Sequence, residues 1–448
     1  MKNLTEGKPL KLILTFALPL FVGQLFQLFY GLVDTRIVGD TLGETALAAV
    51  GATSTLNDLL IGLLNGVTNG FAILIATYFG AKDEQNMKKA IGGTVVLGVA
   101  SALIISVFSL LFLDPILRFL NITGDLLPNA KAYIGVILAG LLAATCYNIC
   151  AAILRAIGDS FTPLIFLIIS TILNIFLDYA FILYLHMGVS GAAWATVISQ
   201  ALSATSCYLY MYKKYPELRL HREDLIPQRE VYTKLLSTGI SMGFMVSFVQ
   251  MGTLALQTSI NTFGVNTIVA HSAARKVTTI FFLPIGVLGT TLSTFCGQNL
   301  GAGKYSRIKR GILETLFLTW GWCIITLLVS YTFVPHIIQA ITASTEVEII
   351  DTASLYLRVN SLFYAVPVAI NLLRNSMQGF GDSKTPVFSS SLELIGKVAI
   401  AYLLAPQIGY WGIIVSEPIV WFIMVIPLVV NTVRNPIFKK EDLVSPQI

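Results

Sequence analysis

The chain has 448 residues, of which 55% are hydrophobic and 12% charged, and its mean hydropathy is +0.77. Soluble proteins carry about 25% charged residues, so this composition excludes a soluble globular protein and predicts that most of the surface faces lipid. The formal net charge of +5 is small for this length and does not indicate a nucleic-acid partner.

Apolar stretches long enough to cross about 30 Å of hydrocarbon recur along the whole chain. The sequence therefore predicts an all-α polytopic membrane protein with twelve transmembrane helices. The first begins near Leu10 without a small-residue cleavage site, which favours a retained helix over a signal peptide. In chain order, the predicted centres are Phe26, Leu60, Ile104, Ala143, Ile172, Ser199, Val249, Leu283, Leu316, Phe363, Val398 and Trp421.

The positive charges fall on one side of these helices. Most of the 29 Lys and Arg residues lie in the two terminal segments and in alternate loops, while the remaining loops are nearly bare of them. Short loops that stay in the cytoplasm carry such an excess. We therefore expect a multi-pass protein of the plasma (inner) membrane with both termini in the cytoplasm.

The sequence repeats itself at long range. Asn148–Pro163 reads NICAAILRAIGDSFTP, and 223 positions later Asn371–Pro386 reads NLLRNSMQGFGDSKTP. Each half contains an even number of helices, so the halves should share one orientation, related by a pseudo-two-fold axis along the membrane normal. We predict an N-lobe of residues 1–222 and a C-lobe of residues 223–448, each with six helices, joined through the hydrophilic segment Tyr212–Glu230.

Motifs of soluble enzymes and nucleotide-driven pumps are absent from the sequence, so we predict no catalytic activity, no cofactor and no metal beyond a coupling Na⁺. One remote alternative is an intramembrane aspartyl protease, because Gly379–Asp382 reads GFGD, and Asp34 or Asp178 would supply the second carboxylate. Both copies of this motif precede Ser-x-Thr-Pro, which favours a turn between helices.

Two acids in the first half lack a basic partner on their own helix face. A charge near the bilayer centre is costly, so Asp34 and Asp178 indicate function. Asn174 lies one turn before Asp178, and Asn148 and Thr196 on neighbouring helices could add oxygen ligands. A buried carboxyl that alternates between charged and neutral forms could bind and release H⁺ or Na⁺.

The first helix contains a predicted bend. Pro19 precedes Asp34 by about four turns and removes one backbone hydrogen bond, so bending there is cheap.

The second half differs in charge from the first. At the 223-residue offset, Lys397 and Ala401 replace Asn174 and Asp178. Glu393 and Lys397 are spaced i,i+4, so they either pair with each other or bind substrate, and both readings remain open. Gln250 and Asn371 are the other candidate residues of a substrate cavity.

Seven segments in order resemble the multidrug and toxic compound extrusion (MATE) family, and the resemblance covers nearly the full length. They are VDTRIVG (Val33–Gly39), ALAAVGA (Ala46–Ala52), RAIGDSFTP (Arg155–Pro163), NIFLDYAFI (Asn174–Ile182), GVSGAAWATV (Gly188–Val197), GQNLGAGK (Gly297–Lys304) and QGFGDSKTP (Gln378–Pro386).

This resemblance implies a V-shaped pair of lobes that exports small amphipathic organic cations from the cytoplasm by antiport against H⁺ or Na⁺. It implies no nucleic-acid partner, and we expect a monomer in the lipid bilayer. The positions that match an N-lobe cation site in the family are Asp34, Tyr133, Asn148, Asn174, Asp178 and Thr196, with Pro19 at the helix bend.

The closest alternative is a flippase for lipid-linked oligosaccharides of the same superfamily. A pyrophosphate site should offer several arginines near the middle of the membrane, whereas the unpaired charges here are mainly acidic. The seventh and tenth helices lack the acids that bind cations in another branch of the family, so we expect one coupling site per chain.

Overall fold

The computed structural model describes residues 3–120, 122, 124–342 and 344–442. These residues form helices and turns, and no strand occurs among them. The α-helices are α1 Pro9–Leu42, α2 Glu44–Gly80, α3 Glu84–Leu111, α4 Leu113–Phe119, α5 Leu126–Ala139, α6 Leu141–Ala156, α7 Phe161–Tyr179, α8 Val189–Lys214, α9 Arg229–Ile260, α10 Val265–Gly301, α11 Tyr305–Thr332, α12 Val334–Thr342, α13 Val347–Ser361, α14 Ala365–Gly379, α15 Lys384–Ala399, α16 Ala405–Ile408 and α17 Tyr410–Arg434.

The helices account for the twelve predicted spans. Within the described ranges, nine helices are long and apolar enough to cross a bilayer. Two bent pairs, α5 with α6 (44°) and α13 with α14 (60°), raise the number to eleven. Of the helices outside these spans, α8 lies at the sixth predicted position and is 26 residues long, whereas α4 and α12 have only seven and nine residues. The prediction of an all-α, multi-pass membrane protein is confirmed.

Large apolar side chains cover much of the outer surface, as a lipid environment requires. Ile104 is 68% exposed, Phe176 70% and Leu403 67%, and such residues recur on most of the long helices. A soluble monomer rarely exposes contiguous apolar surface on this scale.

The described chain divides into two compact units. Unit 1 comprises Met1–Asn3 with Thr15–Gly243, and unit 2 comprises Leu4–Leu14 with Phe244–Ile448. The division falls inside α9, whose first half belongs to unit 1. The predicted lobe boundary between residues 222 and 223 concerns the sequence repeat and stays a prediction.

Glycines bring α2 and the first half of α9 into backbone contact within unit 1. A Cβ atom on Gly70 would lie 2.5 Å from the Thr238 carbonyl oxygen and 2.6 Å from the Gly239 Cα, and one on Gly66 would lie 2.9 Å from the Gly243 Cα. Each helix carries its two glycines four residues apart, which is the small-xxx-small pattern of closely packed membrane helices. The contact fixes the start of α9 to unit 1.

The segment before α1 packs on unit 2. Leu4 is 1% exposed, and its N–H donates to Gln298 Oε1 at 3.0 Å. The Arg307 guanidinium donates to the carbonyl oxygens of Gly7 (2.7 Å) and Leu4 (3.3 Å), and Lys304 Nζ donates to the Thr5 carbonyl at 2.9 Å. Both α1 and α9 therefore begin in one unit and continue in the other.

The repeated Gly-Asp-Ser-x-Thr-Pro motif forms two helix-start turns. Asp159 accepts hydrogen bonds from the Thr162 N–H (3.0 Å), the Thr162 hydroxyl (2.6 Å) and the Tyr215 hydroxyl (2.6 Å). Asp382 accepts from the N–H groups of Lys384 and Thr385, both at 3.1 Å, and from Asn431 Nδ2. The carboxylates satisfy N–H groups that a helix start leaves without partners, so the turn interpretation is confirmed.

Candidate functional site

Two carboxyl groups meet inside unit 1. Asp34 on α1 and Asp178 at the end of α7 are neighbours that lie close enough to interact electrostatically. Asp178 is 0% exposed, and Asp34 is half-buried. No Lys or Arg in the described ranges forms an ion pair with either one. Arg36 pairs instead with Asp40 (3.2 Å), as expected for a residue that cannot share a helix face with Asp34.

A polar shell surrounds the acid pair. With its amide oriented to satisfy both neighbours, Asn174 donates through Nδ2 to Asp178 Oδ2 at 3.0 Å and accepts through Oδ1 from the Thr196 N–H at 3.0 Å. The Thr196 hydroxyl lies 3.2 Å from the Tyr30 hydroxyl, which places α1, α7 and α8 around one point. Tyr30 was not predicted, although its position one turn before Asp34 is a signal that the sequence contains.

The other predicted residues of the first half differ in their relation to the acids. Tyr133 on α5 is half-buried and lies close enough to Asp34 and Asp178 to interact electrostatically with both. Asn148 on α6 is half-buried, and no hydrogen bond among the described residues joins it to the acids. Pro19 lies inside α1, which continues unbroken through it.

One oxygen of each acid has no protein partner. Among the described residues, Asp34 Oδ1 and Asp178 Oδ1 are buried and accept no hydrogen bond. Buried polar atoms normally have partners, so such atoms call for an explanation such as a proton, an ion or water. The site can therefore accommodate a small cation.

The acid pair lies beside an irregular helical turn. A π-helical stretch, Ala180–Tyr184, follows directly after α7, and the Leu185 N–H donates to the Ala180 carbonyl at 3.1 Å. A second stretch, Ile400–Leu404, follows α15 at the matching place in the second half. Single π turns inside α-helices are frequent at functional sites.

Unit 2 holds a chain of buried ion pairs where unit 1 holds acids. Glu393 lies 2.9 Å from Lys397 Nζ, so the predicted pair is present, and it also lies 3.0 Å from the Arg374 guanidinium. Lys397 Nζ lies 3.9 Å from Glu417, which is 3.4 Å from Arg275. We call these five side chains the unit 2 charge cluster. Their contacts between helices were not predicted.

A cavity of about 380 Å³ adjoins the unit 2 charge cluster. Of the four predicted cavity residues, Gln250, Asn371 and Glu393 line it; Lys397 is not among the lining residues and is linked to the cavity through Glu393. The other lining residues are Met245, Val246, Val249, Phe282, Pro367, Ile370, Arg374, Asn375, Trp421 and Met424. All belong to unit 2.

The MatE family model matches the chain twice, over residues 19–180 and 241–403, once in each predicted half. The chain belongs to the MatE family. One relative, the probable multidrug resistance protein YoeA of Bacillus subtilis (strain 168), is 28% identical to this chain over 402 residues. The match covers 87% of this chain and 86% of the relative. Multidrug export protein MepA of Staphylococcus aureus (strain bovine RF122 / ET3-1) is 22% identical over 91% of this chain and 90% of its own length.

Solved structures share the MatE fold of this chain. One, described as the outward-facing conformation of a multidrug resistance MATE family transporter of the MOP superfamily, aligns with a TM-score of 0.90 and 23% identity over 98% of this chain and 99% of its own. A MOP superfamily transporter from Pyrococcus furiosus, whose binding pocket is described as having reverse polarity, aligns with a TM-score of 0.89 and 23% identity. This alignment covers 98% of this chain and 99% of that transporter. The resemblance to MATE transporters is thus confirmed at the level of family and fold.

Proposed function

We propose that this MatE protein is a secondary antiporter that exports amphipathic organic cations from the cytoplasm, driven by H⁺ or Na⁺ bound at Asp34 and Asp178. The observation that carries the proposal is the proximity of two carboxyl groups, inside membrane-length helices, with no cationic partner among the described residues. Relatives named as multidrug resistance and export proteins support the exported class.

Repulsion between the two acids can be relieved by a bound cation. Two carboxylates in contact repel strongly in a medium of low dielectric constant, and one bound positive charge removes most of that repulsion. H⁺ would be shared between the two carboxyl groups, whereas Na⁺ would draw further oxygen ligands from Thr196 and, after rotation of its amide, from Asn174. Loss of the cation restores the repulsion and favours a different packing of α1 against α7, which is how ion release can be coupled to a conformational change.

We also propose a membrane location and an orientation for the protein. The distribution of Lys and Arg supports an inner-membrane protein with both termini in the cytoplasm. Each chain has one acid pair of this kind in its described residues, which supports function as a monomer with a single coupling site.

Ethidium efflux from proteoliposomes tests the proposal, with pH and sodium gradients imposed separately. We expect one gradient to drive efflux by the wild-type protein. Asp178→Asn should insert and fold, but its driven efflux should fall at least about tenfold. The reason is that a side-chain amide neither takes up and releases a proton nor carries the negative charge that attracts Na⁺. Asp40→Asn is the matched control, because Asp40 is an exposed acid at the end of the same α1. Full driven efflux by Asp178→Asn would remove the acid pair from the mechanism.

Two alternatives are weaker. The GFGD carboxyl, Asp382, is occupied in capping α15, so it is poorly suited to act as a protease acid. A flippase for lipid-linked oligosaccharides requires cations for the pyrophosphate, and unit 2 does contain Arg275, Arg374 and Lys397. Of these cations only Arg374 lines the unit 2 cavity, so the several arginines that a pyrophosphate site should offer are not found at its wall, which favours the exporter.

A further inference from the structure

The unit 2 charge cluster contains more cations than acids, and it reaches the cavity through Arg374 and Glu393, the two charged residues that line it. Glu393, which lines the cavity, contacts two cations, Arg374 and Lys397. The next carboxylate, Glu417, is shared between Lys397 and a third cation, Arg275. The unit 2 charge cluster therefore contains three cations and two carboxylates, and no other acid of the described residues forms an ion pair with it.

Arg374 supplies free hydrogen-bond donors at this wall. The residue is 6% exposed and lines the cavity. Its Nε and Nη2 atoms donate to the Ser389 hydroxyl at 3.3 and 3.1 Å, and its Nη1 atom donates to Glu393 at 3.0 Å. A guanidinium has five N–H groups, so two remain without an acceptor among the described residues. Such a planar pair of donors suits a carboxylate or phosphate oxygen.

The same wall disfavours a cationic group. The one carboxylate that lines the cavity already accepts from two cations, so an incoming ammonium would have to compete with both and would lie beside Arg374. This is the reverse of unit 1, where Asp34 and Asp178 have no cationic partner in the described ranges. The two units therefore differ in the sign of charge that they attract.

The remaining lining residues suit an amphipathic ligand. Val249, Phe282, Trp421 and Met424 form part of an apolar wall, opposite in character to the amides and the arginine. Asn371 also lines the cavity, but its Oδ1 atom is buried beside Gly289. A flat apolar group would pack on the apolar wall while a polar end reaches Arg374.

We propose that the unit 2 cavity binds the anionic group, a carboxylate or phosphate, of an amphipathic ligand through Arg374. The identification of this ligand as an exported compound rests on the proposed function, and exported compounds that carry both a cationic and an anionic group would fit best. Binding of the anion itself requires no ion gradient and no Asp34–Asp178 chemistry, so it can be tested separately.

The experiment is equilibrium dialysis of 2-naphthoate against the full-length protein in phosphatidylcholine nanodiscs. The neutral analogue 2-naphthamide has the same aromatic group without the charge. We expect the wild-type protein to bind 2-naphthoate at least about tenfold more tightly than 2-naphthamide, since hydrogen bonds to charged groups have that order of strength. Equal binding of the acid and the amide would overturn the proposal.

Two variants test the residue and the charge separately. Arg374→Gln keeps the Glu393–Lys397 pair and should lose the preference for 2-naphthoate over 2-naphthamide. Arg374→Lys should retain part of that preference. Asn371→Asp places a carboxylate at the cavity wall with almost no change in shape, and it should abolish the preference even if Arg374→Gln folds poorly. Undiminished 2-naphthoate binding by either variant that folds, Arg374→Gln or Asn371→Asp, would contradict the proposal.

Addition of an anionic lipid to the nanodiscs identifies the source of the natural anion. Phosphatidylglycerol added to the nanodiscs should displace 2-naphthoate if the natural occupant is a lipid headgroup. Retained binding in the presence of phosphatidylglycerol would assign the cavity to a water-soluble anion, and both results keep the anionic specificity.

Discussion

The acids of the two units differ in their neighbours. Asp178 has another carboxyl and an amide as neighbours, and no cation among the described residues pairs with it. Glu393 lies between two cations at 2.9 and 3.0 Å, so its negative charge is fixed. The neighbours of Asp178 suit the proposed binding of a coupling ion. The neighbours of Glu393 suit a permanent ion-pair network.

The fixed charge of Glu393 leads to a stability prediction. Glu393→Gln leaves Arg374 and Lys397 buried without their shared carboxylate, so we expect the free energy of unfolding to fall by about 3–5 kcal/mol. Lys397→Met should reduce it less, because Arg374 still neutralises Glu393. Urea unfolding in detergent, followed by Trp fluorescence, measures both. Equal losses would show that Arg374 contributes little to the pairing.

Contacts along one helix could be predicted at the residue scale, and contacts between helices could not. Glu393 and Lys397 are one turn apart, so their pairing is visible in the sequence. Arg374 reaches Glu393 from α14, and Tyr30 reaches Thr196 from α1. The spacing of residues along a chain contains no information on which faces of two helices meet.

At the scale of helices, the glycine contact between α2 and α9 sets their separation. The Phe71 ring lies 2.3 Å from the position of a Cβ on Gly239, so apolar side chains close around the same contact. Val231 and Leu235, on the first half of α9, are part of the buried apolar cluster of unit 1. The beginning of α9 is therefore held by packing as well as by backbone contact.

This contact predicts different outcomes for two glycines of one helix. Gly70→Ala would force a methyl group into the α9 backbone, so the free energy of unfolding should fall by about 1–3 kcal/mol. Gly51, also on α2, has no atom within 4 Å of its Cβ position, so Gly51→Ala should leave stability unchanged or raise it by about 0.5–1 kcal/mol. Thermal unfolding in detergent compares the two, and similar losses would argue against close packing at Gly70.

The turn before α7 gives a pH-dependent prediction. Burial opposes the ionisation of Asp159, but hydrogen bonds from Thr162 and Tyr215 outweigh it and hold the pKa of that carboxyl below its usual value. Its stabilisation is therefore complete above the unfolded pKa of about 4 and is lost as the pH falls through the lower folded pKa. At pH 7, Asp159→Asn should lower the free energy of unfolding by about 1–3 kcal/mol.

The difference between the wild-type protein and Asp159→Asn should narrow as the pH falls below about 4. Thermal unfolding at pH 7 and pH 3 measures it, with Glu84→Gln as the control at an exposed acid near the start of α3. A difference that stays constant between these pH values would show that the ionised form of Asp159 is not the stabilising one.

Across the whole molecule, the twelve membrane spans and their order could be predicted, but the compact unit to which each helix end belongs could not. The twelve predicted centres fall in or between described helices because apolar length alone determines a span. The predicted centre Phe363 lies at the 60° break between α13 and α14, which hydropathy does not reveal. The docking of Leu4 on unit 2 depends on long-range contacts, which no local pattern encodes.

The docked N-terminal segment predicts a hydrogen-exchange result. Arg307→Ala removes two hydrogen bonds to its carbonyl groups, so we expect the amides of residues 4–14 to exchange about tenfold faster. Lys309→Ala is the matched control, because Lys309 is exposed and lies two residues away. Exchange followed by mass spectrometry compares them, and unchanged rates in Arg307→Ala would mean that the remaining contacts, such as Leu4 with Gln298 and Thr5 with Lys304, are sufficient to hold the segment.

The glycine contact between α2 and α9 also affects whether the protein can be produced as two separate polypeptides. A fragment that ends in the linker at residue 222 would lack the start of α9 and would leave the row formed by Gly66 and Gly70 uncovered. Its complement, beginning at residue 223, would carry that missing piece. Two such polypeptides produced together should therefore reassemble, while the first produced alone should aggregate or be degraded.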